Sequence, residues 1–176
     1  MFKVDVFEAI KGRRSIRAFT EEDVSDEMVL KMIEAATLAP SAGNIQPWEF
    51  VVVRDFERKR KLAVAALRQM FIAEAPVVLV VCANENMSGL GYGWRGVNLY
   101  CIQDTAAAIE NLLLAVYALG YGACWVGAFN EDDVREVVKT PKGIRPVAII
   151  PIGRPSEKPS GRRRRSLEEV IHHETF

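Results

Sequence analysis

Residues Arg13-Arg14-Ser15-Ile16-Arg17-Ala18-Phe19 place three guanidinium groups and one hydroxyl within five positions. Fork-shaped donors at that density suit a phosphate or another oxygen-rich anion. Consecutive arginines cannot all point one way, so bent or extended backbone must gather them; a solvated basic turn is the plainer alternative. Further along lies Pro40-Ser41-Ala42-Gly43-Asn44-Ile45-Gln46-Pro47-Trp48. Its prolines fix φ at both ends. Ser41, Asn44 and Gln46 supply donors and acceptors able to read the edge of a planar heterocycle or a ribityl chain. Gly43 allows close backbone approach. A capped helix-to-strand connection would use the same residues.

Two further segments could join them. GYGACWVGAF ends near Gly127-Ala128, whose minimal side chains let a backbone N–H approach a ligand; tight strand packing would also account for them. Arg162 to Arg165 is the densest charge run. A phosphate-binding arm is its better reading, because Leu167, Val170 and Ile171 can anchor the chain just beyond it. A solvated tail or nonspecific nucleic-acid contact are the alternatives. No aromatic residues interleave with these arginines, which disfavours nucleic acid.

Other chemistries find little support. Gly91-Tyr92-Gly93-Trp94-Arg95-Gly96 matches G-x-G-x-x-G. The preceding strand is expected to end near Ala83, and bulky Tyr92 and Trp94 occupy the crowded positions, so a dinucleotide fingerprint is rejected. There is no G-x-S-x-G elbow and no Walker A sequence. Cys82, Cys101 and Cys124 are widely spaced, and the only histidines are the adjacent His172 and His173. No metal site is expected. The cysteines sit in or beside apolar runs and read as reduced core thiols, which points to the cytoplasm.

The elements that must position these residues can be read in outline. The chain has 176 residues and is expected to form one domain, residues 1–176. Lys plus Arg and Asp plus Glu are balanced at 23 each, so no overall field recruits nucleic acid or anionic membrane. No signal segment is expected, and the longest apolar run, 75–83, is too short to span a bilayer. A short helix is expected to run from Asp5 into Gly12, and Ser25 should cap a second that Pro40 ends. EFVVVR (49–54) reads as a strand. Asp55 should cap a basic helix continuing through Leu62 to Ile72. PVVLVVCA (76–83) reads as a strand buried on both faces. Residues 84–99 read as an irregular, aromatic-bearing loop. A hydrophobic helix should run from Asp104 to Gly120, followed by a strand over 121–129. Asn130 should cap a short acidic helix, and 145–152 should form the last core strand. This alternation favours an α/β or α+β sandwich.

RRSIRAF, APSAGNIQPWEF, DTAAAIENLLLAVYALGYGACWVGAF and IGRPSEKPSGRRRRSLEEVIHHE, in that order, resemble the nitroreductase family of FMN-dependent oxidoreductases across almost the whole chain. The resemblance implies an α+β three-layer sandwich, with a central, mostly antiparallel sheet flanked by helices. It implies a homodimer with two FMN sites built from both subunits, and a domain-swapped tail (about 156–176) wrapping the partner. Arg13, Arg14 and Ser15 would hold the FMN phosphate and ribityl oxygens. Arg17 would lie by the flavin pyrimidine edge, where its charge favours the anionic reduced form. Pro40, Ser41, Ala42 and Asn44 would come from the other subunit, with Gln46 nearby. Trp125, Val126, Gly127 and Ala128 would present backbone to the isoalloxazine, where an N–H near N5 assists reduction. Arg164 would contact the phosphate, with Arg162 and Arg165 as alternates.

The implied activity is reduction of FMN by NADH or NADPH, then of a small-molecule acceptor such as a nitroaromatic or quinone, by a ping-pong mechanism. No catalytic acid or base is named, because the cofactor carries the chemistry. A specialised reaction on the same fold (reductive dehalogenation or reduced-FMN fragmentation) and a non-catalytic FMN-binding protein are the alternatives. The chain is shorter than many relatives, so residues 84–99 are where remaining specificity determinants are expected.

Overall fold

The computed structural model describes residues 4–176. Local capping starts most of its helices. Asp5 accepts from the Phe7 and Glu8 amides, and Glu8 reaches back to the Asp5 N–H, a reciprocal box opening α1 (Val6–Gly12). Ser25 caps α2 (Asp26–Thr37), Asp55 caps α3 (Phe56–Ala65) and Asn130 caps α7 (Glu131–Val138). Between them lie α4 (Phe71–Glu74), α5 (Glu85–Arg95) and the long α6 (Cys101–Ala118).

Four strands, β1 (Trp48–Val53), β2 (Val77–Asn84), β3 (Gly122–Ala123) and β4 (Ile144–Gly153), form one sheet in the order β1-β2-β4-β3. Every pair is antiparallel. The fold is therefore α+β. Alternation along β2 builds both faces of the core. Val77, Leu79 and Val81 pack with Met32 of α2 and Ile109 and Leu112 of α6. Val78, Val80 and Cys82 face the other way, toward Leu62 of α3, Ile72 of α4 and Val134 of α7. Helices thus cover both faces of the sheet. All three cysteines are buried thiols. Burial pushes the Cys82 thiol up to about 12.

Three expectations need correction. The basic helix does not continue to Ile72: it stops at Ala65, and Leu67 and Arg68 turn left-handed (φ 57° and 61°) before α4 begins. Lys59 secures this corner, its buried ammonium donating to the Ala75 carbonyl at 2.6 Å. Burial holds that ammonium below the ordinary lysine pKa.

The strand over 121–129 shrinks to two residues plus an isolated Val126–Ile149 bridge in the same register. Cys124 still donates to the Pro151 carbonyl at 3.4 Å. Proline has no N–H to return the bond, so the ladder lapses there.

Residues 84–99, expected to be irregular, are mostly helical. Asn84 caps α5, and a π-helical turn (Gly96–Tyr100) leads directly into α6. The break is confined to Tyr92 and Gly93, the latter at φ 53°. Several glycines in this stretch serve packing. A Cβ on Gly91 would sit 2.5 Å from Ile45 Cδ1, and one on Gly96 only 2.1 Å from the Ser88 carbonyl oxygen. Gly96→Ala is expected to destabilise by about 2–3 kcal/mol, lowering Tm by roughly 5–10 °C in a thermal melt. An unchanged Tm would remove this account of Gly96.

The run Glu85–Ala118 is long and apolar enough to cross a membrane by length and composition. It is broken at Tyr92–Gly93, and α6 places Ile109 and Leu112 in the core beneath the sheet.

Candidate functional site

Residues 13–20 leave α1 in extended conformation and run alongside two other segments. Gly12 permits the exit, since a Cβ there would lie 2.0 Å from the Tyr117 hydroxyl. Ser15 bridges Ala123 in parallel, and the Ile16 N–H donates to the Ala123 carbonyl at 2.9 Å. Beyond it, Phe19 bridges Pro155; the Thr20 N–H donates to the Arg154 carbonyl and the Ser156 N–H to that of Ala18. The Glu157 carboxylate closes this zipper by accepting the Arg17 and Ala18 N–H groups. Glu157 escaped the sequence reading because its partners are backbone amides far away in the chain, which leave no side-chain pattern.

The zipper brings the start of the tail back over Arg13 and Arg14. Lys11, Arg13, Arg14, Arg17, Arg162 and Arg164 line a cleft of about 860 Å³, with Glu157 as its one carboxylate. Net charge over the whole chain is zero, so this concentration of cations is local. Arg14 folds back to donate to the Lys11 and Arg13 carbonyls at 2.6 and 2.7 Å. Arg13 Nε lies 3.4 Å from Glu110 Oε1, out of line for a hydrogen bond, and is buried without a partner. Such a donor is suited to an incoming oxygen. Of the arginines read as alternates, Arg162 faces the cleft with Arg164. Arg165 instead donates to the Glu169 carbonyl within its own turn.

The segment from Trp125 to Ala128 continues the chain just beyond Ala123, the residue that Ser15 bridges. Burial raises the neighbouring Cys124 thiol, while the Arg17 charge and a hydrogen bond from Ser15 oppose the rise. Val126 is buried at its bridge to Ile149. Gly127 and Ala128 are exposed, and neither N–H is paired within the described residues. A Cβ on Gly127 would meet nothing closer than Trp125 Nε1 at 4.0 Å, so open space lies before this backbone. Gln69 ties the Ala128 carbonyl to the Ala66 carbonyl, and the Arg17 guanidinium sits 5.7 Å from the centre of the Phe71 ring. Gln69 and Phe71 are thus two site-adjacent residues that the sequence reading did not pick out.

The loop after Pro40 is elsewhere. Gly43, Asn44 and Gln46 all take φ of 56°, and the Ser41 hydroxyl accepts the Gln46 N–H at 2.9 Å. The Ala42 N–H donates to Asp104 near the start of α6. Arg13 meets α6 at Glu110, about 9 Å further along the helix axis. None of Pro40, Ser41, Ala42, Asn44 or Gln46 lines the arginine cleft of its own chain.

A model of the nitroreductase family matches residues 10–85 and 64–154. A Methanothermobacter thermautotrophicus protein whose name pairs NADH dehydrogenase with NAD(P)H nitroreductase is 35% identical over 91% of this chain and 82% of its own length. The Bacillus subtilis FMN reductase [NAD(P)H] is 31% identical, spanning 98% of this chain and 74% of its own. The solved NADPH:FMN oxidoreductase from Vibrio harveyi, complexed with NAD+, superposes with a TM-score of 0.89 at 25% identity, covering 97% of this chain and 77% of that one.

Proposed function

The chain belongs to the nitroreductase family, and from that premise we propose that it is an FMN-dependent oxidoreductase fed by NADH or NADPH. The observation that carries this reading is the meeting of Arg13, Arg14, Arg17, Arg162 and Arg164 in one cleft. The donor set fits FMN. Guanidinium forks match the phosphate, the buried Arg13 Nε lacks a hydrogen-bond partner, and the exposed Gly127 and Ala128 leave their N–H groups unpaired among the described residues.

Bound FMN would supply the redox chemistry, accepting hydride from the nicotinamide and delivering electrons to an acceptor. The protein's part is to hold and aim it. Arg13, Arg14, Ser15 and Arg164 would hold the phosphate and ribityl oxygens, with Arg162 as a further cation. Arg17 would set positive charge at the pyrimidine edge. Trp125, Val126, Gly127 and Ala128 would present backbone to the ring. The acceptor is a small molecule such as a nitroaromatic or quinone, and its turn at the same face after the nicotinamide product leaves makes the mechanism ping-pong.

The site is completed by a second copy. The Pro40–Gln46 loop lies well along α6 from its own cleft, which suits it to a partner's cofactor. The residues of the tail from 160 onward are exposed, and the amphipathic Leu167, Val170 and Ile171 need an apolar surface. Among the described residues β1 is paired on one side only, by β2. Such an open, β-branched edge is a liability that a second chain can cover. Residues 1–176 act as one flavin-binding unit: Ser156 and Glu157 keep the start of the 156–176 tail on its own chain, and the stretch beyond Arg164 wraps the partner. The buried free thiols fit a cytoplasmic protein.

The visible spectrum of the purified protein tests the proposal. Flavin bands are expected, bleaching when NADH or NADPH is added anaerobically and returning with a quinone. Bands that neither nucleotide bleaches would favour a specialised flavin reaction or an FMN carrier. A colourless protein that refuses added FMN would overturn the reading.

A further inference from the structure

The Ser41–Gln46 loop holds an unusual shape. Three of its residues, two of them not glycine, are left-handed, a conformation that persists only when the surroundings enforce it. Most of its hydrogen bonds are internal: Gln46 N–H to Ser41 Oγ, Asn44 N–H to the Ser41 carbonyl, Ile45 N–H to the Ala42 carbonyl. The hydrogen bond that ties these residues to the body runs from the Ala42 N–H to Asp104 Oδ1, at 3.1 Å.

Asp104 is a poor choice for stability alone. It is only 7% exposed, and its second oxygen, Oδ2, is buried without a partner. Burying a carboxyl with one oxygen unsatisfied is costly. Nor does it cap a helix, since the π-helical turn runs straight into α6 and leaves no free N-terminus there. α5 supports the loop from another side. The Tyr92 hydroxyl lies where a Cβ on Gly43 would come within 2.5 Å, and Ile45 fills the space left by Gly91.

We propose that Asp104 is a positioning residue that holds the Ser41–Gln46 loop in the shape that meets the flavin. This rests on the FMN reading above. The role needs an acceptor oxygen under Ala42 and not a full negative charge. Burial raises the carboxyl's pKa, opposed by the Ala42 N–H. Asparagine is therefore the faithful replacement and alanine the disruptive one.

The test compares wild type, Asp104→Asn and Asp104→Ala. Backbone hydrogen exchange on the FMN-free proteins reports the loop without relying on activity. FMN titration, followed by quenching of flavin fluorescence, reports affinity. Asp104→Ala is expected to speed exchange in the peptide covering 40–47, leave the 13–17 and 157–164 peptides unchanged, and weaken FMN about tenfold or more. Asp104→Asn is expected to stay within a few-fold of wild type in both. Unchanged loop exchange in Asp104→Ala would overturn the anchor. Faster exchange with undiminished FMN affinity would overturn its link to the cofactor. If Asp104→Ala fails to fold, Asp104→Asn decides: FMN loss there despite a wild-type melt would overturn the proposal, and retention would support it. A wild-type protein that takes up no FMN would instead bring down the underlying reading, and the positioning role with it.

Discussion

Changing Arg13 and Arg14 together to alanine is expected to give a folded, colourless protein. Each charge-assisted hydrogen bond to phosphate is worth about 1.5–3 kcal/mol. Two such losses amount to roughly 3–6 kcal/mol, a fall of about a hundredfold to ten-thousandfold in FMN affinity. The cost to folding is far smaller. Arg13 faces Glu110 across 3.4 Å at a half-exposed site, where a pair contributes at most about 1 kcal/mol. Flavin content after purification, a fluorescence titration and a thermal melt would separate the two effects. Arg165→Ala is the control, since that guanidinium is turned to the Glu169 carbonyl within its own tail. A double variant that still carries a full complement of FMN would sink the assignment of the cleft.

The second large effect is expected from ending the chain at Pro155. That cut removes Glu157, which holds the Arg17 and Ala18 amides. It also removes Arg162 and Arg164 from the cleft, and with them the apolar Leu167, Val170 and Ile171. The β2–β4 pairing and both core layers lie wholly before the cut, so secondary structure should survive. Bound FMN should be lost, and the mass in solution should fall from that of a dimer to that of a monomer. Light scattering coupled to absorbance at flavin wavelengths reads both. A truncated protein that remains dimeric and yellow would rule out the tail's proposed role.

The parts of this molecule legible in its sequence are those decided within a few residues. Asp5, Ser25, Asp55 and Asn130 cap helices because a side-chain oxygen reaches an amide two or three positions on. The burial of β2 on both faces follows from an unbroken apolar run. The clustering of Arg13, Arg14 and Arg17 in one cleft is legible for the same local reason. Where a distant partner decides, the sequence misleads. Residues 84–99, with four interleaved glycines, read as an irregular loop, but of those glycines only Gly93 takes a left-handed φ. Gly91 and Gly96 are small because Ile45 and Ser88 press on them. Pro151 truncates β3 from the neighbouring strand, an effect with no local sign at Cys124. Glu157 and Asp104 act on backbone amides that any residue type could supply. The choice among the tail arginines depends on a turn closed by Glu169, beyond the run itself.

The zipper between 17–20 and 154–157 also has a temporal consequence. One wall of the cationic cleft is made early in synthesis and the other, residues 157–164, about 140 positions later. Nothing short of residue 164 can present both walls to an anion. Core helices and the β1–β2 pair can begin to form on the ribosome, but anion capture in this cleft has to wait for long-range closure, the slow kind of contact to make. With the flavin held in this cleft as proposed, its occupancy would report completed translation and folding: a chain stopped before its tail could be well packed and still remain empty.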